Sequence, residues 1–287
     1  MIILTPAKIN FGLKVINKRS DGFHNLETIF YPVSIYDKLT VNIRPSSRAS
    51  NTFKIRTNNR VIPLDKSNIC FKTVVQFLKA FNIKEYYDFE IFIEKNIPVL
   101  GGLGGGSSNA AAVIKICLKY FNIDVRSNKE KILDLALNIG SDVPFFMVLK
   151  PCLATGRGEK MKLLPEFTLK DYKLLLVNAG VYVSTRWAFS TLNLQGGEVR
   201  KSSLSQVTQF EKKIFNLLEN DFEKIVFEKY PELGTIKKEL IKKGAVFASL
   251  SGTGSTVYGV FNKVDVDKLQ EAQKHFTDKK YRIFITE

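Results

Sequence analysis

Several residues in this chain are placed to do chemistry on a polyphosphate. The first group is backbone: Gly101-Gly-Leu-Gly-Gly-Gly106, five glycines in six positions, followed by Ser107 and Ser108. Glycine lets main-chain N–H groups approach a ligand closely and take positive φ. At a helix start those N–H groups have no acceptor within the helix and carry the positive end of its dipole, which makes an anion site. The second group is an ammonium and a carboxylate, Lys8 in Pro6-Ala-Lys-Ile-Asn10 and Asp142 in Gly140-Ser-Asp-Val-Pro144. An ammonium can neutralise charge building on a transferred phosphoryl group, and a carboxylate can orient or accept the proton of an attacking hydroxyl. The third is an Asp21-Gly22 turn followed by Phe23 and His24. A flat ring beside a hydrogen-bonding ring suits a planar heterocycle, although on residue type alone such a pair is more often ordinary turn packing.

The surrounding pattern says what must hold these residues. Phe89, Ile91 and Ile93 alternate with Glu90, Phe92 and Glu94, so a strand enters the glycine run. The apolar run from Asn109 to Tyr120 predicts a helix over 108–121, with Ser107 or Ser108 as its N-cap. A strand over Ile2–Ile16, broken at Pro6, puts Lys8, Asn10 and Gly12 on one face and Ala7, Ile9 and Phe11 on the other. A wet edge strand would account for a lone lysine; a substrate cleft would account for lysine with asparagine. A strand over Tyr31–Arg44 leads to an expected hairpin through 45–60, then a helix over 69–81 capped by Ser67. A helix over 128–139 ends at Gly140, and Pro144 is expected to prevent another, leaving Asp142 on a loop before an apolar strand. Beyond a glycine turn at Ala154–Glu159, the pattern predicts a strand over 172–177 and a helix over 184–192. A Gly/Ser-rich loop over 193–205 and helices over 206–243 come next. A strand, glycine turn and strand over Phe247–Phe261, a helix over 265–276 and a strand over 281–286 end the chain.

Two familiar phosphate loops are excluded by reading. No lysine lies between Gly101 and Ser108, so this is not a P-loop, and the dinucleotide pattern fails at Ser107 or Asn109. The 287 residues are 45% hydrophobic with 22 phenylalanines, ample for a core, and no apolar run approaches the ~18 residues of a membrane span. The N-terminus lacks a basic export region, which with three scattered cysteines predicts a reducing cytoplasm. An odd cysteine count and only two histidines argue against a disulfide framework or a zinc site. The net charge of +15 raises nucleic-acid binding as a rival, but lysines are mixed with glutamates and no basic stripe forms. A solvated surface with mild steering of anionic substrates accounts for it.

The segment from Pro98 to Ser108 resembles the ATP loop of the GHMP kinases, small-molecule kinases named for galactose, homoserine, mevalonate and phosphomevalonate. Lys8 with Asn10, then Asp21-Gly-Phe-His-Asn-Leu-Glu-Thr28, the glycine run and Gly140-Ser-Asp-Val-Pro-Phe-Phe146 occur in order through nearly the whole chain. The Gly-Phe-His segment is similar to the branch acting on a cytidylylated methylerythritol in non-mevalonate isoprenoid synthesis. One departure shows: the family usually has tyrosine at Phe23, and phenylalanine keeps the stacking face without the hydroxyl. The resemblance implies an α+β, two-domain GHMP kinase fold. Residues 1–155 would be ribosomal protein S5 domain 2-like, and 156–287 a ferredoxin-like α/β sandwich. It implies ATP and Mg²⁺, with transfer to the 2-hydroxyl of the methylerythritol moiety by Lys8 and Asp142. ATP would be held by Pro98, Val99, Leu100, Gly101, Gly102, Leu103, Gly104, Gly105, Gly106, Ser107 and Ser108, with Asn68 and Lys95 beside adenine. Asn10, Phe23, His24, Thr185 and Phe189 would meet the acceptor, Phe189 stacking on the cytosine from the side opposite Phe23. Metal ligands stay open beyond a serine hydroxyl. The expected partners are these small molecules, not nucleic acid or membrane, in a monomer or weak homodimer. Two alternatives remain at this point: a small-alcohol kinase of homoserine or mevalonate type, and a basic RNA-binding protein sharing the N-terminal domain type.

Overall fold

The computed structural model describes residues 1–192 and 199–286, so residues 193–198 of the expected Gly/Ser-rich loop lie outside the described residues. The chain forms two compact units. One comprises Met1–Ala7, Tyr36–Val99 and Gly104–Leu149, the other Lys8–Ile35, Leu100–Leu103 and Lys150–Glu287.

Strand β1 (Ile2–Lys18) and its partner β2 (His24–Pro45) contribute to both units. β1 is not broken at Pro6: a proline removes one donor, and its fixed φ is compatible with extended chain. β2 is longer at its start than the sequence pattern indicates.

In the first unit, β3 (Thr52–Thr57) lies parallel to β4 (Tyr87–Glu94), which pairs antiparallel with β2 from Lys38↔Glu94 to Pro45↔Tyr87. The expected hairpin over 45–60 is therefore wrong. The connection from β3 to β4 carries helix α1 (Ile69–Ala80), and a helical crossover returns a strand parallel, not antiparallel. Phe89, Ile91 and Ile93 are buried with Leu39 and Val41, as the alternation requires. Helix α2 (Gly105–Tyr120) packs on α1 and on α4 (Val143–Val148), while α3 (Lys129–Ile139) packs on α1.

In the second unit, the first part of β2 pairs with β5 (Cys152–Thr155), and β5 with β6 (Lys160–Leu163). A separate antiparallel sheet has the order β10-β7-β9-β8. Its strands are β7 (Tyr172–Asn178), β8 (Phe247–Leu250), β9 (Thr256–Asn262) and β10 (Arg282–Thr286). Helix α7 (Pro231–Lys242) packs on β8 and β9, and α8 (Val266–Asp278) on β7, β9 and β10. Leu175, Val177, Val226, Ile236, Leu240, Val257, Phe261 and Phe276 form the core between sheet and helices. Helix α5 (Thr185–Thr191) and helix α6 (Phe222–Lys229) complete this unit. The helices expected from 206 begin only at Phe222; before them lie 3₁₀ turns at Leu204–Gln206 and Lys212–Leu217.

Among the described residues no helix is long and apolar enough to cross a membrane. The cysteines Cys70, Cys117 and Cys152 are buried free thiols, and burial pushes each up to about 12.

Candidate functional site

The first half of the glycine run is held by main chain of the second unit. Gly102 has φ +76, and a Cβ there would lie 2.0 Å from the carbonyl oxygen of Ser251. Ser251 Oγ donates to the Gly102 carbonyl (3.0 Å) and the Thr256 N–H to that of Gly101 (3.2 Å). The turn that does this is fixed by Asn220, whose Nδ2 donates to the carbonyls of Leu250 and Gly252, both at 2.8 Å. Asn220 carries no motif, and sequence reasoning missed it.

Leu103 in turn accepts the backbone N–H of Lys8 at 3.0 Å, which puts the lysine's strand directly beside the run. Lys8 and Asn10 are 4% and 2% exposed, so the wet-edge explanation fails. Lys8 Nζ donates to Asn10 Oδ1 at 2.6 Å and lies 5.1 Å over the Phe30 ring. Asn10 Nδ2 donates to Thr28 Oγ1 (2.9 Å), which donates to the Gly12 carbonyl (2.6 Å). A chain of neutral groups thus aims the Asn10 oxygen at the ammonium.

The second half of the run, in the first unit, is helix. Gly104 (φ 69) is the N-cap, and the first intrahelical bond joins the Ser108 N–H to the Gly104 carbonyl at 2.9 Å. The N–H groups of Gly105, Gly106 and Ser107 precede that bond and have no acceptor inside the helix. Ser107 and Ser108 therefore occupy the third and fourth helical positions and are not the N-cap, contrary to expectation. Gly106 is exposed with ordinary φ, and the nearest atom to an added Cβ is Ile69 Cγ2 at 4.0 Å. Among the described residues no packing contact requires glycine there; a ligand lying close against the main chain would.

Asn68, not Ser67, caps α1, because its Oδ1 accepts the Cys70 N–H at 2.8 Å while Nδ2 donates to the Pro63 carbonyl. Lys95 is buried, with Nζ 2.5 Å from Asp37 Oδ2. Asp142 is partly buried at the N-cap position of α4 and makes no side-chain capping bond. The expected loop and strand after it are instead this short helix, since proline is tolerated within a helix's first turn. Lys115 Nζ donates to the Phe146 carbonyl at 2.7 Å, tying α4 to α2.

The aromatic residues gather in the second unit. Arg19 pairs with Asp21 at 2.8 Å, which holds that carboxyl below its usual range, and Asp21 accepts the Phe23 N–H. Phe23 is 46% exposed, with the Arg157 guanidinium 3.6 Å from its ring centroid. Arg157 was also missed. His24 stacks on Phe189, centroids 4.9 Å apart and planes at 28°, and Phe189 meets Phe222 edge-on. Burial, aided by Lys18, holds the imidazole below its ordinary pKa, which favours the neutral ring. Thr185 Oγ1 is 3.2 Å from Thr253 Oγ1 in the C-terminal glycine turn.

Comparison with known proteins places the chain in a family. A family model described as "GHMP kinases N terminal domain" matches residues 68–149, and one described as "GHMP kinases C terminal" matches 201–276. A 4-diphosphocytidyl-2-C-methyl-D-erythritol kinase of Bacteroides thetaiotaomicron is 38% identical over 264 residues, 91% of this chain and 92% of that one. The chain belongs to the GHMP kinases. Another relative with the same name, from Clostridium botulinum, is 36% identical over 100% of this chain and 99% of its own length. The crystal structure of a 4-(cytidine 5'-diphospho)-2C-methyl-D-erythritol kinase superposes with a TM-score of 0.76 at 26% identity, covering 100% of this chain and 98% of that one. A mevalonate kinase at 17% identity and TM-score 0.65 shares the fold alone. The α+β GHMP kinase fold expected from the sequence is thus the one present, and GHMP kinases take ATP as phosphoryl donor.

Proposed function

We propose that this chain transfers the γ-phosphoryl group of ATP to the 2-hydroxyl of 4-diphosphocytidyl-2-C-methyl-D-erythritol. The relatives that span nearly its whole length support the substrate. The observation that carries the nucleotide reading is the start of α2, where main-chain N–H groups lack helical acceptors and Gly106 leaves room against the backbone.

Phosphoryl transfer has a loose transition state, so positioning and charge stabilisation do most of the work. Within the run from Gly101 to Ser108, the open amides of Gly105, Gly106 and Ser107 hold the α- and β-phosphates. Lys8, its ammonium aimed by Asn10, offsets negative charge on the phosphoryl oxygens. Asp142 orients the acceptor hydroxyl and takes its proton late, because a carboxylate is a weak base towards an alcohol. Phe23, His24, Thr185 and Phe189 meet the cytidylyl part. Asn68 serves the adenine end, whereas Lys95, expected there too, has its ammonium beside Gly105 at the start of α2. Among the described residues no cluster of three or more His, Cys, Asp or Glu side chains could hold a metal. Mg²⁺ in such sites is carried mainly by phosphates and water, and a hydroxyl of Ser107 or Ser108 would be the chain's own ligand. When bound, the ion neutralises phosphate charge.

ADP release against a panel of alcohols tests the proposal. The cytidylyl methylerythritol compound should be turned over, and homoserine and mevalonate should not. Turnover of either of those without response to the cytidylyl compound would overturn the substrate assignment.

A further inference from the structure

We infer that Asp37 is a positioning residue for the nucleotide's phosphates, acting through Lys95. This rests on reading the start of α2 as the ATP site. The β2–β4 ladder ends at Lys38↔Glu94, and one step further brings Asp37 opposite Lys95. Two cross-strand ion pairs of opposite sense therefore stand side by side. Lys38–Glu94 (2.9 Å) is solvated, its side chains 44% and 39% exposed. Asp37–Lys95 (2.5 Å) is not, at 0% and 3%.

An exposed pair of this kind contributes little. A buried pair is tolerated only when its remaining donors and acceptors are satisfied. Here they are. Asp37 Oδ1 accepts the N–H groups of Asn96 and Ile97, both at 2.8 Å, which fixes the chain entering the glycine run. The Lys95 N–H donates to Asn58 Oδ1 (2.8 Å), and its carbonyl accepts Asn58 Nδ2 (3.4 Å). The Asp37 carbonyl accepts Thr5 Oγ1 (3.3 Å), which also donates to Asn109 of α2 (2.7 Å).

Such an arrangement does more than close a sheet end, because of where the ammonium lies. A Cβ on Gly105 would sit 2.9 Å from Lys95 Nζ, with Ile97 atoms next nearest and no Asp37 atom as close. Gly105 is the first residue of α2. The pair is thus a fixed dipole with its positive end against the helix N-terminus, adding to the helix's own. Asp37 keeps that charge from reorganising when phosphate arrives, which is where fixed charges act best.

The test is the double variant Asp37→Asn/Lys95→Met in the full chain. Asparagine Oδ1 still accepts the Asn96 and Ile97 N–H groups, and methionine fills most of the lysine stem, so loop entry is kept while charge is removed. KM for ATP should rise about tenfold, the equivalent of one helix-terminus charge interaction. KM for the acceptor alcohol should stay within about twofold. Asp37→Asn alone, which strands a buried ammonium, should melt lower than the double variant. Where the double variant does not fold, Gly105→Ala, which displaces Nζ directly, should give the same split. An unchanged KM for ATP, or equal losses for both substrates, overturns the role of Asp37 while leaving the ATP site intact. A wild-type chain whose ADP release does not saturate with ATP overturns the ATP reading itself, and this inference with it.

Discussion

Gly102 and Gly105 stand three residues apart in one glycine run, and each is glycine for a different reason. At Gly102 the backbone is left-handed, and the space a side chain would need holds the main-chain carbonyl of Ser251. At Gly105 the backbone is ordinary helix, and the space is taken by side chains, Lys95 Nζ and Ile97 Cγ2 at 2.9 and 3.1 Å from an added Cβ. A main-chain obstacle cannot step aside, whereas a side-chain obstacle can be removed by a second substitution. So the first half of the run is rigid by construction and the second half is adjustable.

The largest expected effect is that of Gly102→Ala. Positive φ costs an alanine about 1–2 kcal/mol, and separating two backbone segments adds to it. A total loss of about 4 kcal/mol or more is expected in chemical denaturation, of the size reserved for forced backbone strain. A wild-type midpoint would show that Ser251 and Gly102 are not in contact in solution. Next is Asn220→Ala, which leaves the buried carbonyls of Leu250 and Gly252 without their donor. It should cost about 2 kcal/mol in the same measurement and raise KM for ATP. Loss of stability with unchanged KM would uncouple the Ser251–Thr256 turn from the glycine run.

Gly105→Ala should cost about 1 kcal/mol, the displacement of Lys95 outweighing the better helix propensity of alanine. In the Asp37→Asn/Lys95→Met background the same substitution should become neutral or stabilising, because its main obstacle is gone. Residues in contact couple by this much. Strict additivity would mean that Ile97, not Lys95, is what makes Gly105 a glycine.

The sequence carried the parts of this picture that depend on local period. The inward Phe89, Ile91 and Ile93 and the strand–turn–strand over 247–261 are legible because burial repeats every second residue. The start of α2 is misread by three residues because helix propensity counts against Gly105 and Gly106. At the first turn no intrahelical bond depends on them, so the penalty is small where the benefit of open amides is greatest. Asp37 and Lys95 each extend an apolar alternation, before Leu39 and Val41 on one strand and after Ile91 and Ile93 on the other. Either alone reads as a strand-end charge, and only the register makes them partners. Arg157 on Phe23 is the same kind of fact: nothing local in Gly156-Arg-Gly158 points to a ring far away in sequence.

Gly106 gives the smallest effect and the most telling one, because it lies outside both cases. Its φ is ordinary, it is exposed, and among the described residues outside its own turn of helix the nearest atom to an added Cβ is Ile69 Cγ2 at 4.0 Å. Gly106→Ala should therefore raise stability slightly, by less than the roughly 0.5–1 kcal/mol that alanine gains over glycine in the middle of a helix, because the position lies in the first turn. If bare amides there face phosphate, the same methyl group stands where the nucleotide packs, and KM for ATP should rise severalfold while the protein becomes harder to unfold. Stability and nucleotide affinity moving in opposite directions is what a glycine kept for a ligand predicts. A variant that is more stable and binds ATP as before would mean that the phosphates lie elsewhere along the run.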